Sequence, residues 1–352
     1  MPAKLPTRAL GRNGPQLPAL GLGLMGLSTF YGTPGTDEER FEFLDRAYEL
    51  GCTHWDSAQM YGDSEVLLGK WFKRTGKRSE VGKFSDPIFL TTKFGNHVTP
   101  EGGREIRNDA DYIRSSVKES FEKLQTDYID LLYCHRFTGT IPVETIVTVM
   151  KEFVDAGKVK YLGLSECGVD TLQRAVKIHP IHAYQIEYSP FSMDVEKPEI
   201  GLLDCCRELG IALVAYSPLG RGILTGQYKT VDDFDEGDFR RTIPRFSTQK
   251  NFDKNLELVY TLQRIGERKG ATSGQVTLAW MMKQDPLVFP IPGTKKIKYL
   301  EENIGALYVE LTDEEDKEIR HAIENAEVVG TRVAEHLMDV LLVDTPPLAI
   351  KA

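Results

Sequence analysis

The feature that most constrains the fold is a rhythm of short, mainly apolar segments that alternate with segments of helical apolar spacing. Short strands separated by helices pair in parallel, with both faces of the sheet covered. Eight such strands fit a closed barrel better than an open sheet, so we predict a single α/β domain over residues 1–352, a (β/α)8 TIM barrel. The predicted strands are residues 52–56, 87–93, 128–135, 159–165, 183–188, 212–217, 288–291 and 307–311. The predicted helices are residues 39–50, 109–124, 142–156, 169–178, 202–209 and 273–282, with another beginning near Ser64.

Three segments lie outside this rhythm. Residues 4–26 are punctuated by glycines and predict a hairpin lid before the barrel. Residues 220–254 are charged and aromatic and too long for a simple connection, so we expect a mobile loop over the site. Residues 330–352 form a C-terminal tail that turns apolar again near Leu341, and the sequence leaves open whether it packs beside the pocket or stays loose.

Composition excludes several classes of function. The formal net charge of −9 argues against general nucleic-acid binding, and no apolar run is long enough to span a membrane. Five cysteines without CxxC or HExxH spacing predict reduced thiols and no metal site. The amino-terminal stretch lacks an apolar core of signal-peptide length, so we expect a cytoplasmic protein.

A glycine pattern near the amino terminus imitates a dinucleotide fingerprint. Gly21, Gly23 and Gly26 have the GxGxxG spacing. That fingerprint needs a strand before it and a helix opening inside it, whereas residues 28–36 form a polar, glycine-containing loop. We therefore do not interpret it as a Rossmann turn.

Four ionisable side chains follow the first three predicted strands. Asp56 and Tyr61 are five residues apart across a strand-to-loop boundary, Lys93 ends the next strand and His135 the one after. A barrel brings these strand ends to one mouth, where its chemistry is carried out. Taken singly, a buried Asp56 satisfying backbone N–H groups, a surface Tyr61, a structural ion pair of Lys93 and a core His135 are ordinary alternatives.

Around these residues the chain resembles the aldo-keto reductase superfamily over nearly its whole length. The resemblance rests on Trp55-Asp56-Ser57-Ala58 with Tyr61-Gly62, Thr92-Lys93-Phe94-Gly95, His135 at a strand end, Gly163-Leu164-Ser165, Gln185-Ile186-Glu187-Tyr188, Ala215-Tyr216-Ser217-Pro218-Leu219-Gly220, and Ile291-Pro292-Gly293-Thr294 followed by Asn303. Met25-Gly26 and the extension to Arg221-Gly222 resemble a fungal and plant branch. This resemblance implies NADPH-dependent, reversible reduction of aldehydes and ketones.

The chemistry of carbonyl reduction agrees with the roles that this resemblance implies. A proton must reach the developing alkoxide, and Tyr61 is the candidate acid. A free phenol has a pKa near ~10, and an ammonium about 4 Å away supplies roughly 4 kcal/mol at an effective dielectric near 20. Lys93 would be that cation, Asp56 would hold it charged, and His135 would complete the wall around the substrate oxygen. The family's carbon–carbon double-bond reductases carry glutamate at position 135, so histidine there implies carbonyl reduction.

The resemblance also implies the NADPH/NADP+ site. Tyr216 would stack on the nicotinamide, Ser165 and Gln185 would bind its carboxamide, and lysines after the strand at 288–291 would bind the 2′-phosphate. Glu166 stands where well-known members carry Asn, and Tyr299 where they carry Arg. A plain Ser-Pro turn and a solvated lysine face are the alternatives for the phosphate residues. The full set is Gly23, Leu24, Met25, Ser165, Gln185, Tyr216, Ser217, Pro218, Leu219, Gly220, Arg221, Ile291, Gly293, Thr294, Lys295, Lys296, Tyr299, Glu302 and Asn303.

The substrate, a small carbonyl compound, is expected in an aromatic pocket with one arginine. The predicted lining is Met25, Phe30, Tyr31, Met60, Phe94, Arg136 and Tyr188. This lining permits aromatic aldehydes, quinones or small ketones. Two other functions stay open: a barrel lyase with Lys93 as Schiff-base nucleophile, and a regulatory binding protein that keeps the fold and cofactor. The oligomeric state does not follow from the sequence.

Overall fold

The computed structural model describes residues 3–78, 88–99 and 101–349. Pro87, the first residue of one predicted strand, and the last three residues of the predicted tail lie outside these ranges. The described strands are β1 (Thr7–Ala9), β2 (Gln16–Pro18), β3 (Leu22–Gly23), β4 (His54–Asp56), β5 (Phe89–Phe94), β6 (Asn96–Val98), β7 (Arg104–Ile106), β8 (Ile129–Cys134), β9 (Val159–Ser165), β10 (Ala183–Glu187), β11 (Ala212–Tyr216) and β12 (Val288–Pro290).

Helices follow most of the parallel strands. They are α1 (Met25–Ser28), α2 (Asp37–Glu49), α3 (Ser64–Thr75), α4 (Ala110–Leu124), α5 (Val143–Asp155), α6 (Val169–Ala175), α7 (Leu202–Leu209), α8 (Gln249–Lys269), α9 (Ser273–Gln284), α10 (Ile297–Gly305) and α11 (Asp313–Asn325). Short 3-10 helices lie at Asp194–Glu196, Gly220–Thr225, Val231–Asp233, Phe239–Thr242, Ala306–Tyr308 and Glu335–Val340. Among the described helices, none has the length and apolar character needed to cross a membrane.

Local chemistry explains where the helices begin. The side chain of Thr36 accepts a hydrogen bond from the backbone N–H of Glu39, whose carboxylate accepts one from the backbone N–H of Thr36. This capping box starts α2, and Thr312 with Glu315 makes the same arrangement before α11. Asp109 caps α4 by accepting from Tyr112 N–H. These caps satisfy N–H groups that a helix leaves without an internal partner.

Eight of the strands form one parallel sheet in the order β12-β11-β10-β9-β8-β5-β4-β3. The two ends of the sheet meet, since Gly21 N–H donates to Pro290 O at 2.9 Å and Gly23 N–H to Pro292 O at 3.2 Å. The predicted (β/α)8 barrel is confirmed. The GxGxxG pattern lies at this closure and not in a Rossmann turn.

One predicted strand is wrong, and the barrel replaces it with another. Residues 306–308 form a 3-10 helix and not a strand, because an alternating apolar run this short does not distinguish the two. The missing strand is β3, which lies inside the segment that we predicted as a lid and pairs in parallel with β4. The strand at 288–291 is therefore the last strand of the barrel and not the seventh.

The amino-terminal hairpin covers the end of the barrel opposite the carboxyl ends of the strands. Strands β1 and β2 pair antiparallel. The Arg8 guanidinium donates to the backbone carbonyls of Met282, Asp285 and Val288, just before or within β12. Arg12 N–H donates to Gly210 O, just before β11. The hairpin closes the bottom of the barrel and does not cover the candidate site.

Apolar side chains such as Phe89 and Phe289 fill one part of the barrel interior and surround a histidine with no hydrogen-bond partner among the described residues. His54 in β4 is fully buried, and its ring meets Phe89 and Phe289 edge-on. Within the described residues, neither ring nitrogen has a partner. Burial lowers the pKa of His54 from 6.5 to about 4, with smaller opposing effects of Asp56, which raises it, and Lys93, which lowers it further. The folded protein therefore holds this imidazole neutral.

This histidine makes the stability of the protein depend on pH. As the pH falls below 6.5, the unfolded chain binds a proton that the folded chain does not bind until about 4, so stability is lost across that interval. Between about pH 7 and about pH 5 we expect a loss of about 2 kcal/mol from His54 alone. Urea unfolding at the two pH values measures it. The difference between them should shrink by that amount in His54→Leu and not in His321→Gln, which changes an exposed ring; an unchanged difference in His54→Leu would contradict the account.

Candidate active site

The four predicted catalytic side chains meet at the carboxyl ends of the strands. Lys93 Nζ donates to Asp56 Oδ1 at 2.5 Å and to the backbone carbonyl of Ser57 at 2.7 Å. It lies 3.4 Å from the Tyr61 hydroxyl oxygen. The ring of His135 stands perpendicular to that of Tyr61, with centroids 5.9 Å apart. A phenol, an ammonium, a carboxylate and an imidazole thus surround one small volume.

Strand alternation accounts for this convergence. Asp56 and His54 share the inward face of β4, while Trp55 between them packs outward against Trp71. In β5 Lys93 points inward, and Thr92 before it points outward and donates to Glu65. Parallel pairing of neighbouring strands then brings these inward side chains to one end of the barrel.

The buried ion pair keeps the lysine charged. Burial by itself lowers the pKa of Lys93, but the charge of Asp56 and the contact with Tyr61 outweigh it, and the pKa is raised overall. The second carboxylate oxygen of Asp56 accepts from Gln185 Nε2 at 2.9 Å. A buried carboxylate with partners on both oxygens forms a fixed support for the ammonium.

The two proton-carrying groups beside this pair are both neutral. Burial raises the pKa of Tyr61, and the charge of Lys93 works against that rise without reversing it. The phenol therefore does not show the lowered pKa expected from its neighbour. Burial, Arg136 and Lys93 together lower the pKa of His135 well below its usual value. At neutral pH His135 can donate a hydrogen bond but carries no spare proton.

The residues expected to hold a nicotinamide lie on the adjoining strands. Ser165, at the end of β9, is fully buried, and its hydroxyl accepts from Arg136 Nη1 at 3.1 Å. Tyr216 ends β11 half-buried at the mouth, and its hydroxyl donates to Glu166 at 2.7 Å. With Gln185 on β10, these residues form a polar wall beside Asp56. An amide group has donors and acceptors that such a wall can satisfy.

The backbone around this wall is shaped for close approach of a ligand. Ser217, Gly220, Arg221 and Gly222 all have φ between 50° and 94°, in the left-handed region. Gly23 and Gly293 face each other at the barrel closure, where a Cβ on Gly23 would lie 2.8 Å from Ile291 O. The side chain of Ile291 packs inside the barrel, so only its backbone is available to a ligand. Glycines, which have no side chain, and a turn with left-handed φ angles leave space for a dinucleotide to lie against the backbone.

A cationic segment follows the last barrel strand. Lys295 Nζ donates to the backbone carbonyl of Tyr31 at 2.7 Å, and Lys296 is exposed just before α10. Within the described ranges, neither lysine has a carboxylate within ion-pair distance. Tyr299 donates to Gln227, and Glu302 accepts from the Thr272 hydroxyl at the start of α9. The two lysines remain available to an anion.

The predicted substrate residues divide into two groups. Phe30 packs edge-on against Phe239, with centroids 5.5 Å apart, so the 28–36 loop touches the long 220–254 excursion. Met25, Tyr31, Met60 and Arg136 are likewise partly exposed. The prediction is wrong for Phe94 and Tyr188: both are 1% exposed and pack in the layer between sheet and helices, where Tyr188 donates to Glu196.

Sequence reasoning gave no role to Glu166, Glu187 or Arg332, the charged groups that lie around Tyr216 together with Arg221. Glu166 pairs with Arg332 of the C-terminal tail at 2.6 Å, and Glu187 pairs with Arg221 at 3.3 Å. The tail is thus packed against the mouth. Of the signals in the sequence, only the departure at position 166 pointed here, since Arg332 is far away along the chain. In the described part of the chain, no cluster of three or more His, Cys, Asp or Glu side chains has the arrangement of a metal site.

Comparison with known proteins gives one family throughout. Residues 19–324 match the model described as Aldo/keto reductase family. Aldo-keto reductase str7 of Strobilurus tenacellus is 52% identical over 349 residues, which cover 98% of this chain and 99% of that protein. Aldo-keto reductase yakc [NADP(+)] of Schizosaccharomyces pombe is 48% identical over 347 residues, with 98% and 99% covered.

Solved structures agree with the fold. The thermostable aldo-keto reductase Tm1743, solved with the inhibitor epalrestat, has a TM-score of 0.71 at 29% identity and covers 90% of this chain and 100% of its own. The glycerol dehydrogenase AKR11B4 of Gluconobacter oxydans has a TM-score of 0.80 at 22% identity, with 92% and 97% covered. The second likeness concerns the fold alone.

Proposed function

Because the chain belongs to the aldo/keto reductase family, we propose that it is an NADPH-dependent oxidoreductase that reversibly reduces small aldehydes and ketones to alcohols, with Tyr61 as the general acid. The observation that carries the proposal is the position of Lys93 Nζ, 2.5 Å from Asp56 and 3.4 Å from the Tyr61 hydroxyl. The family and the general reduction of carbonyls stand on the comparisons. The roles of individual residues are our proposal, and so is the assignment of the activity to one barrel domain.

Tyr61 would donate its proton to the substrate oxygen as negative charge develops there. Its raised pKa keeps the phenol protonated beforehand. Lys93 then stabilises the phenolate that remains, because an ammonium at this distance in a buried site attracts an anion by several kcal/mol. Neutral His135 would donate a second hydrogen bond to the same oxygen. The site is thus organised before the reaction to stabilise charge that appears only during it.

The residues around the polar wall fit NADP(H). Tyr216 would face the nicotinamide, Ser165 and Gln185 would bind its carboxamide, and Lys295 with Lys296 would bind the 2′-phosphate. When bound, NADPH supplies the hydride for the carbonyl carbon. The printed name of the Schizosaccharomyces pombe relative includes NADP(+), which supports the choice of cofactor.

The direct test is an assay of the purified protein with NADPH and a panel of aromatic aldehydes, quinones and small ketones. We expect NADPH absorbance to fall and one alcohol to form for each NADPH consumed. A panel in which no carbonyl compound is reduced, while NADPH still binds, would favour the regulatory alternative.

The Schiff-base alternative conflicts with the state of Lys93. A nucleophilic lysine needs a lowered pKa so that its amine is free. Here the pKa of Lys93 is raised, and Asp56 holds the ammonium with a hydrogen bond. Borohydride added with a carbonyl compound and no cofactor should therefore trap no adduct on Lys93.

Removing the two lysines should change the choice between cofactors. In Lys295→Ala/Lys296→Ala we expect NADPH to bind at least about 10-fold more weakly and NADH to bind as before, because only NADPH carries the 2′-phosphate. Dissociation constants from fluorescence titration with each cofactor measure this. Lys151→Ala, which breaks an exposed ion pair on α5, is the matched control. An unchanged ratio of NADPH to NADH affinity would show that the phosphate binds elsewhere.

A further inference from the structure

Glu166 is a buried carboxylate whose two oxygens are both held by other side chains. Its Oε1 accepts from the Tyr216 hydroxyl at 2.7 Å and from Arg332 Nη1 at 2.6 Å. Its Oε2 accepts from Arg332 Nη2 at 2.8 Å. Glu166 is 0% exposed and Arg332 4%. The two parallel hydrogen bonds fix both the distance and the orientation of the pair.

The backbone holds Glu166 in place independently of its side chain. Its φ of 53° lies in the left-handed region, which costs energy for a residue with a Cβ and persists only where the surroundings impose it. Those surroundings include the tail, because Val343 N–H donates to Glu166 O at 3.2 Å and Gly168 N–H donates to Val343 O at 3.1 Å. The C-terminal tail therefore holds Glu166 through backbone hydrogen bonds as well as through Arg332.

The charges of this cluster leave Tyr216 neutral and tethered. Burial acts to raise the pKa of Glu166, but Arg332, with smaller contributions from Arg136 and the Tyr216 hydroxyl, outweighs it and the pKa is lowered, so the carboxylate stays charged. Burial and the charge of Glu166 raise the pKa of Tyr216, which therefore keeps the proton that it donates. The Tyr216 hydroxyl thus donates to the charged Glu166 and accepts a longer hydrogen bond from Arg332 Nη1 at 3.3 Å, so both contacts depend on Arg332.

We propose that Arg332 is a positioning residue for carbonyl reduction, acting on the orientation of the Tyr216 ring both through Glu166 and through its own hydrogen bond to the Tyr216 hydroxyl. The proposal rests on the proposed function, in which Tyr216 faces the nicotinamide. Without Arg332, Glu166 is a buried carboxylate with no cation within ion-pair distance in the described residues, and it must take up a proton or move toward water. Either change alters the carboxylate that accepts from the tyrosine hydroxyl, and the direct hydrogen bond from Arg332 to that hydroxyl is lost as well. The C-terminal tail therefore carries a determinant of cofactor alignment.

The proposal has a pH signature that a purely structural contact would not have. In Arg332→Met, only the charge of Arg136 and the hydrogen bond from Tyr216 still oppose the effect of burial, so the pKa of Glu166 should rise. Below that raised pKa, Glu166 is neutral and can still accept the hydrogen bond from the Tyr216 hydroxyl. Above it, an unpaired charge disturbs the site, so kcat should fall as the pH rises. Arg332→Met/Glu166→Gln removes both charges and should lose this pH dependence.

The experiment compares wild type, Arg332→Met, Arg332→Lys and the double variant as full-length proteins with NADPH and one reducible aldehyde. For Arg332→Met near neutral pH we expect kcat to fall roughly 10- to 100-fold, because a small misalignment of reacting groups costs this much. The KM for the aldehyde should change much less. Arg332→Lys should be intermediate, and the double variant should recover part of kcat. Arg268→Met, which breaks an exposed pair with Glu318 on the outer helices, is the matched control.

Each outcome decides the proposal. A wild-type kcat and pH profile in Arg332→Met would overturn it while leaving the proposed function intact. If Arg332→Met does not fold, the double variant decides, because it leaves no unpaired charge: a low kcat without pH dependence supports the proposal, and a wild-type kcat overturns it. If wild type itself reduces no carbonyl compound with NADPH, the proposed function fails, and this inference fails with it.

Discussion

Replacing Tyr61 with Phe should lower kcat for carbonyl reduction by roughly 10³-fold, while the affinity for NADPH should stay within about 2-fold of wild type. The substitution removes one oxygen and leaves the ring, so packing against His135 is kept. What is lost is the proton that Tyr61 would give to the substrate oxygen. Steady-state kinetics with a saturating aldehyde and a fluorescence titration with NADPH measure the two quantities separately.

The matched control for this substitution is Tyr260→Phe, which removes a hydroxyl from an exposed side chain on α8. It should leave kcat within about 2-fold of wild type, in the range of surface substitutions. If Tyr61→Phe kept a wild-type kcat with a wild-type thermal unfolding curve, the acid would have to be another group. His135 would then be the next candidate, although its lowered pKa makes it a poor one.

Replacing Lys93 with Met should damage both activity and stability. The ammonium is 0% exposed, and its removal leaves the carboxylate of Asp56 buried with Gln185 as its one remaining side-chain partner in the described part of the chain. Breaking a buried ion pair from one side costs about 3–5 kcal/mol in the free energy of unfolding. The phenolate of Tyr61 also loses its counter-charge, so we expect kcat to fall by at least roughly 10³-fold. Urea unfolding and steady-state kinetics measure the two effects.

The double variant Lys93→Met/Asp56→Asn separates these effects. Removing both charges should restore most of the lost stability, because no unpaired charge remains buried, but it should restore no activity. Lys151→Met, in an exposed pair with Asp155, should change the free energy of unfolding by less than about 0.5 kcal/mol. A Lys93→Met variant as stable as wild type would contradict the view that the pair is a closed, buried unit.

The sequence was sufficient for the barrel and for the meeting of the four polar side chains, because both follow from local patterns. Strand periodicity located seven of the eight barrel strands, and parallel pairing then brought Asp56, Lys93 and His135 to one end. The closing strand β3 was missed because a two-residue segment between glycines has no periodicity to detect. Its partner across the closure is more than two hundred residues away along the chain.

Two errors in the substrate pocket were avoidable. Side chains in a strand alternate between the two faces, so if Lys93 points into the barrel, Phe94 must point out. The same rule applied to Gln185 on β10 places Tyr188 outward, three positions later. Both residues are in fact buried in the outer layer.

The contact between Glu166 and Arg332, in contrast, could not be predicted from the sequence. The two residues are 166 positions apart, and no spacing rule connects a charged residue in an irregular tail with one at a strand end. Only the packing of the tail against the mouth brings them together.

The central claim is that the cofactor's hydride and the phenol's proton add to the two ends of one carbonyl group. The most direct measurement is reduction of an aldehyde in ordinary water with NADPH that carries deuterium at the transferable position. We expect one deuterium on the carbon of each alcohol formed, with a slower reaction than for unlabelled NADPH, and no such alcohol from Tyr61→Phe at a comparable rate. Alcohol without deuterium on that carbon, or label found in the solvent, would contradict the account.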